Sequence, residues 1–333
     1  MHEMFFNATE LFNLGKETHG MDSRARIEHC QSSERKQRLL FVLEELLKLD
    51  PTIVQRTVTA PPDARRVINR DTSKSLSKGQ SNGRSEDMRK MIKLMDDSCV
   101  WSWGALPGPP EQKEARGLNH EGCAYLLAHP DIDWDDLQAR AEFIDGKVRW
   151  SSHQWPRLCW REGAYNPAKP SEGLLLSDLL AAGGKALLLS LSSVDNITGA
   201  PGARGSRSKR QNNKGLAKRY RINRVTTSFI AYVAVCVRYA VTSDTHFNET
   251  SDGFNYPDFY DAIKQYLEAP AFASRAASLI NWWNHKIFGD VYYGSEEPQA
   301  PQTSGTLAAL LAEVEGDNDD RVPGPGASEH SDD

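Results

Sequence analysis

Between Thr226 and Thr242 the chain carries Phe229-Ile230-Ala231-Tyr232-Val233-Ala234-Val235-Cys236-Val237 and then Arg238-Tyr239-Ala240-Val241. A run without a polar face has to be covered on every side, so the rest of the fold must be built around it. Its β-branched residues suit a buried strand, but the run to Val241 exceeds the usual strand length and its neighbours carry helical periodicity. The reading is a central helix capped by Thr226 or Thr227. Arg238, near its end, is read as a partner for a buried acid or for the helix's carbonyl end. Pro257 suits the first turn of a second helix, with Phe259, Ile263, Tyr266 and Leu267 on one face and Pro270 as its stop. Phe272, Ala276, Leu279, Ile280, Trp283 and Ile287 make a third stripe of about four turns. The expected structural core is Phe229, Tyr232, Val233, Arg238, Phe259, Trp282 and Trp283.

Upstream, residues 1–34 read as polar and weakly ordered, with Leu11, Phe12 and Leu14 as surface cover. Leu39, Val42, Leu43, Leu46 and Leu47 place an apolar stripe on a helix that Asp50-Pro51 stops, because the residue before proline is pushed out of the α region. Pro61-Pro62 and the Ser/Lys/Gly/Asn-rich run 72–84 read as a loop. Ser85-Glu86-Asp87 then reads as a helix start, with Met88, Met91, Ile92 and Met95 on its buried face. Trp150, Trp155-Pro156 and Cys159-Trp160 form an irregular aromatic segment. Residues 173–192 are leucine-rich and read as a buried helix in which Gly183-Gly184 either weakens the helix or permits close backbone packing.

Charge is segregated. Residues 204–224 hold nine Lys/Arg and no acid, and residues 296–333 hold ten Asp/Glu against Arg321. Residues 196–222 are expected to be a flexible basic insert, and 296–333 a disordered acidic tail with one apolar island at Leu307 to Ala312. The fold class is therefore mainly α: one irregular multi-helix domain over 35–295 with long loops, that insert and that tail. The five scattered cysteines argue against a disulfide framework, and the start lacks a secretory pattern, so an intracellular protein is expected, nuclear or cytoplasmic. No membrane partner is expected, since no segment approaches the ~20 apolar residues of a span.

Chemistry is sparse. Asp131, Asp133, Asp135 and Glu142 occupy calcium-loop positions, but the position that needs glycine for its turn is Asp136, and Leu137 to Phe143 looks helical. The plainer reading is an Asp133 N-cap. His120-x-x-Cys123 alone is half of a zinc site. Enzymatic candidates are His120, Asp131, His153, Cys159 and His285, with no nucleophile elbow, HExxH, P-loop or dinucleotide fingerprint to join them. No catalytic residue, metal or cofactor is assigned. In the insert, Arg204, Arg207, Lys209, Arg210, Lys214, Lys218, Arg219 and Arg221 would contact phosphate backbone or an import receptor. Lys218 and Arg219 favour the nucleus slightly, because with Lys209-Arg210 they resemble a split import signal.

Several segments, in order, resemble an uncharacterised family of mushroom-forming (basidiomycete) fungi, domain of unknown function 6698. They are Arg84-Ser85-Glu86-Asp87-Met88, Arg116-Gly117-Leu118-Asn119-His120, Trp155-Pro156, Gly173-Leu174-Leu175-Leu176-Ser177, Val225 to Ala234, Arg238 to Ser243, Phe254-Asn255-Tyr256 with Phe259-Tyr260, and Trp282 to Phe288. The likeness covers roughly residues 35–290, departs at Ala182 to Lys185 where bulkier residues are expected, and implies a fungal source but no activity. The favoured function is an interaction or scaffold protein with an unidentified protein partner. Nucleic-acid association through the insert comes second, and an enzyme of unknown reaction third.

Overall fold

The computed structural model describes residues 4–96, 112–148, 151–196 and 215–289. Within them the fold is mainly α. The helices are α1 (Ala8–Glu17), α2 (Ser23–Cys30), α3 (Glu34–Leu49), α4 (Ile53–Thr59), α5 (Pro62–Leu94) and α6 (Glu121–Leu127). They continue as α7 (Leu137–Ile144), α8 (Asp178–Leu188), α9 (Leu216–Tyr220), α10 (Thr227–Val241), α11 (Tyr256–Glu268) and α12 (Ala273–Phe288). A two-residue antiparallel hairpin, β1 (Thr250–Ser251) with β2 (Phe254–Asn255), turns through Asp252 and Gly253, both at positive φ. Among the described residues no helix is long and apolar enough to cross a membrane.

The apolar run is the helix expected of it. Thr226 accepts the Phe229 N–H at 3.2 Å as N-cap, and Ser228 to Val241 are all buried. Packed around α10 are α5, α6, α8 and α11, and α12 packs on α8. A helix enclosed in this way leaves its last carbonyls without water, and each must find a donor. Arg116 and Lys113 supply them. Arg116, fully buried, donates to the Ala240 carbonyl at 2.8 Å and to Ile92 O at 3.3 Å, and pairs with Asp96. Lys113 Nζ donates to Tyr239 O at 2.8 Å and Thr242 O at 2.7 Å and sits 4.1 Å from the Tyr239 ring centre. Burial brings its ammonium down to about 8. Gly117 lets this segment close in: its φ is +68°, and a Cβ there would lie 2.9 Å from the Ser243 amide. The Arg238 side chain turns to the rings of Phe254 and Tyr256. Side chains lean toward a helix's N-terminus, and its guanidinium lies 3.3 Å from the centre of the Phe254 ring and donates to the Tyr256 hydroxyl at 2.9 Å.

The glycine pair in α8 is a contact surface, and the helix runs through it unbroken. A Cβ on Gly183 would come within 2.8 Å of Val237 and 3.2 Å of Val233 on α10. One on Gly184 would come within 2.9 Å of both Trp283 and Ile287 on α12. The two glycines therefore let α8 lie close against α10 and α12, which meet each other at Phe229 and Trp283. Trp283 is fully buried there and donates its indole N–H to Leu175 O at 2.9 Å, while Trp282 is half-buried beside it. Asn284 accepts the Val225 amide at 2.7 Å, which fixes the entry to α10.

Several expectations are corrected. Residues 72–84 are not a loop, and Ser85 does not start a helix: both lie inside α5, a single helix of 33 residues. Its first half packs on α1 and α4 and its second on α8 and α10, so anchoring at both ends overrides the low helix propensity of its Ser/Gly/Asn middle. The N-terminal region is also structured. Asn7 and Asp22 cap α1 and α2, and Leu11, Phe12, Leu14 and Cys30 join Leu39, Leu40, Val42, Leu43, Ile53 and Val54 in a second, smaller core. Asp136, not Asp133, caps α7; Asp133 instead accepts the Asp135 amide. The end of the basic insert is not loose either: residues 216–220 form α9, and Gly215 presses on the Leu188 and Leu189 carbonyls so closely that a Cβ would reach 2.5 Å. The 173–192 segment is α-helical only over α8, with a 3-10 helix starting at Leu191; before α8, Trp160 bridges to Leu174, and Leu175 has positive φ. Phe272 lies exposed rather than in the third stripe.

The same residue type should therefore respond with opposite sign at two places. Gly183→Ala and Gly184→Ala should each destabilise the protein by about 1–3 kcal/mol through overpacking. Gly79→Ala and Gly83→Ala, with open space where a Cβ would go, should each stabilise it by about 0.5–1 kcal/mol. Urea denaturation of the four variants checks the contrast.

Candidate functional site

Where α5 passes between the two cores its side chains thin out. Ser75, Gly79 and Gly83 recur on one edge of the helix, and nothing approaches the positions a Cβ would take at the two glycines. Opposite stand Met4 and Phe6 of the leading segment, Leu11 of α1, and Val42 and Leu46 of α3. Between these walls runs a groove of about 350 Å³, within the usual size range of ligand pockets. From Ser75 to Asp87 it follows roughly 18 Å of helix at 1.5 Å per residue. Gln80 holds the leading segment in place by donating to Met4 O at 2.9 Å.

The groove closes on a polar end. Asp87 accepts the Tyr232 hydroxyl at 2.8 Å and the Lys90 ammonium at 3.4 Å. Burial holds the Asp87 carboxyl above its ordinary range, against the pull of both hydrogen bonds, and burial also pushes the Tyr232 phenol up. Arg84, one turn earlier, lies 5.4 Å from the centre of the Phe247 ring. The site thus offers aliphatic and aromatic walls and one carboxylate acceptor. A wider cleft of about 740 Å³ shares Phe6 and Val42 with it, and both of its arginines are paired with its acids. Arg35 grips Glu10 at 2.6 and 2.8 Å, and Arg38 bridges Glu34 at 2.7 Å and Asp261 at 2.5 Å.

The enzymatic candidates are not gathered here or elsewhere. His120 caps α6 by accepting the Cys123 amide at 3.3 Å, and Cys159 is buried in the main core, where burial pushes its thiol up. Asp131 is exposed and pairs with His129 at 3.1 Å, while His153 and His285 lie on the surface. Glu142 sits on α7 and accepts from Gln138 at 3.0 Å, so the twelve-residue calcium loop is replaced by helix. Among the described residues no three His, Cys, Asp or Glu side chains come together as a metal site. Of the insert's basic residues, Lys218 and Arg219 are exposed on α9 and Arg221 ends it with φ +55°. Arg204, Arg207, Lys209, Arg210 and Lys214 lie outside the described residues, as do residues 296–333. The sequence signal for Asp87 was present, since it stands in the Arg84 to Met88 segment, but it read as a helix-start acid.

A family model described as "Family of unknown function (DUF6698)" matches residues 78–288. The chain belongs to this family. No curated protein and no solved structure matches it. The DUF6698 match takes in α5 from Lys78 onward, Lys113, Arg116, α8, α10, α11 and α12. It therefore covers the main core and the α5 and α10 side of the groove, while Met4, Phe6, Leu11, Val42 and Leu46 lie before it.

Asp87 carries a pH signature. A carboxyl with a folded pKa above its unfolded value near 3.9 contributes most below that unfolded value and loses the contribution as pH rises through the folded one. Asp87→Asn keeps an acceptor for Tyr232 without the charge. Its stability relative to wild type should increase as pH rises from about 4 to 7; urea titrations across that range would show a flat or falling difference if the buried charge were not costly.

Proposed function

We propose that the chain is a non-catalytic binding module whose working surface is the groove along α5, and that the groove takes an apolar stretch of a partner protein. The observation that carries this is shape combined with chemistry: a narrow trough roughly 18 Å long, apolar along its walls, with one edge stripped to backbone at Gly79 and Gly83. A trough of this form suits an extended or helical segment presenting successive side chains, with main-chain approach allowed on the glycine side. Asp87 at its end would accept an amide or ammonium donor from the same segment. The scatter of the enzymatic candidates favours binding over catalysis. Placement inside the cell, nuclear or cytoplasmic, and a basidiomycete source are part of this proposal and rest on the sequence reading and the resemblance.

Filling the groove tests it. Gly79→Leu with Gly83→Leu puts two side chains into open space without burying anything polar. The wild-type chain should retain protein partners from a mushroom-forming fungus after nuclease treatment, and the filled variant should lose them. Identical captures by both chains, or captures abolished by nuclease, would overturn the proposal.

A further inference from the structure

The face of α5 turned away from the groove carries a charge pattern that the loop reading of residues 72–84 had concealed. Residues 64–84 hold Arg65, Arg66, Arg70, Lys74, Lys78 and Arg84 against Asp71 alone. Arg65 donates to Ala60 O at 2.7 Å, and Arg84 turns to Phe247. Arg66, Arg70, Lys74 and Lys78 are all exposed and recur every fourth residue. Each step of four advances about 6 Å along the axis and about 40° around it. The row therefore runs some 18 Å within one outward-facing arc. Arg70 pairs with Asp71 at 3.0 Å. Around the row lie Ser73, Ser77, Ser81 and Asn82, small groups able to hydrogen-bond phosphate oxygens without blocking approach.

Like charges at a spacing of four residues lower the stability of a helix. Arg66 with Arg70, Arg70 with Lys74, and Lys74 with Lys78 make three such pairs in succession, an arrangement that a polyanion would relieve. We propose that this face of α5 is a second binding surface, one that holds the phosphate backbone of nucleic acid independently of sequence. Duplex nucleic acid carries about one charge per 1.7 Å of its axis, so an 18 Å row faces roughly ten phosphates. The chain as a whole carries a net charge of −5, so attraction must come from a local face. This surface is separate from the groove, and its test does not depend on the proposed partner.

The experiment is fluorescence anisotropy of labelled 20-base-pair DNA and RNA duplexes with the full chain. Four phosphate contacts should weaken binding roughly a hundredfold between 50 and 200 mM salt. Replacing all four with glutamine (Arg66→Gln, Arg70→Gln, Lys74→Gln, Lys78→Gln) should abolish binding, while the charge-matched set Lys16→Gln, Arg24→Gln, Lys48→Gln and Arg275→Gln, all exposed positions elsewhere, should bind as wild type. Glutamine is a good helix former, and circular dichroism checks that α5 persists. If the fourfold variant does not fold, Arg70→Gln and Lys74→Gln singly should each reduce the salt slope by about one. Absence of binding at low salt, or unchanged binding by the α5 variant, would overturn the proposal. So would row-dependent binding of a labelled acidic peptide spanning residues 313–333 when neither duplex binds, which would assign the face to the chain's own tail.

Discussion

Everything in the main core depends on burying α10 on all sides, and that is only permissible because its carbonyl end is answered. Lys113 and Arg116 together reach the carbonyls of Tyr239, Ala240 and Thr242. A buried helix end without such donors would carry the full desolvation cost of each carbonyl, about 1–3 kcal/mol apiece. Two positive charges at the negative end of the helix dipole add to the hydrogen bonds. Once that end is closed, the helix can be packed without polar compromise. α8 uses Gly183 and Gly184 to approach it and α12 together, and Trp283 fills the space beside Gly184. The Arg116 to His120 segment, one of those that carry the family resemblance, thus has a structural task.

The groove follows from the same organisation. α5 belongs to both cores: Met88, Met91 and Leu94 pack in the main one and Leu76 against the smaller one. A helix tied down at both ends can carry small residues in its middle, and small residues leave a trough. Tyr232, on the buried helix itself, reaches out to Asp87 and marks where the groove meets the main core.

What was legible in the sequence was whatever local pattern could decide. The all-apolar run, the Thr226 cap, Pro257 in the first turn of α11 and the Trp283 stripe all follow from periodicity and capping chemistry. What was not legible depended on partners distant along the chain. Ser, Lys, Gly and Asn between 72 and 84 favour a loop locally, and only packing at both ends of α5 makes them helical. Leu11, Phe12 and Leu14 looked like surface cover because the stripe on α3 that buries them lies some thirty residues away. Lys113 and Arg116 satisfy carbonyls well over a hundred residues later in the chain, which no spacing rule reports. The groove was hidden for the same reason: Gly79 and Gly83 read as helix breakers until the helix around them was known.

The central claim, that the buried carbonyl end of α10 is held by these two cations, is tested most directly by the stability of Arg116→Met. Methionine fills much of the space but donates nothing, leaving the Ala240 carbonyl and the Asp96 carboxylate without this partner. Urea denaturation should show a loss of about 1–3 kcal/mol, the cost of leaving a buried carbonyl without its donor. A change within about 0.5 kcal/mol, the range of an ordinary surface substitution, would contradict the account.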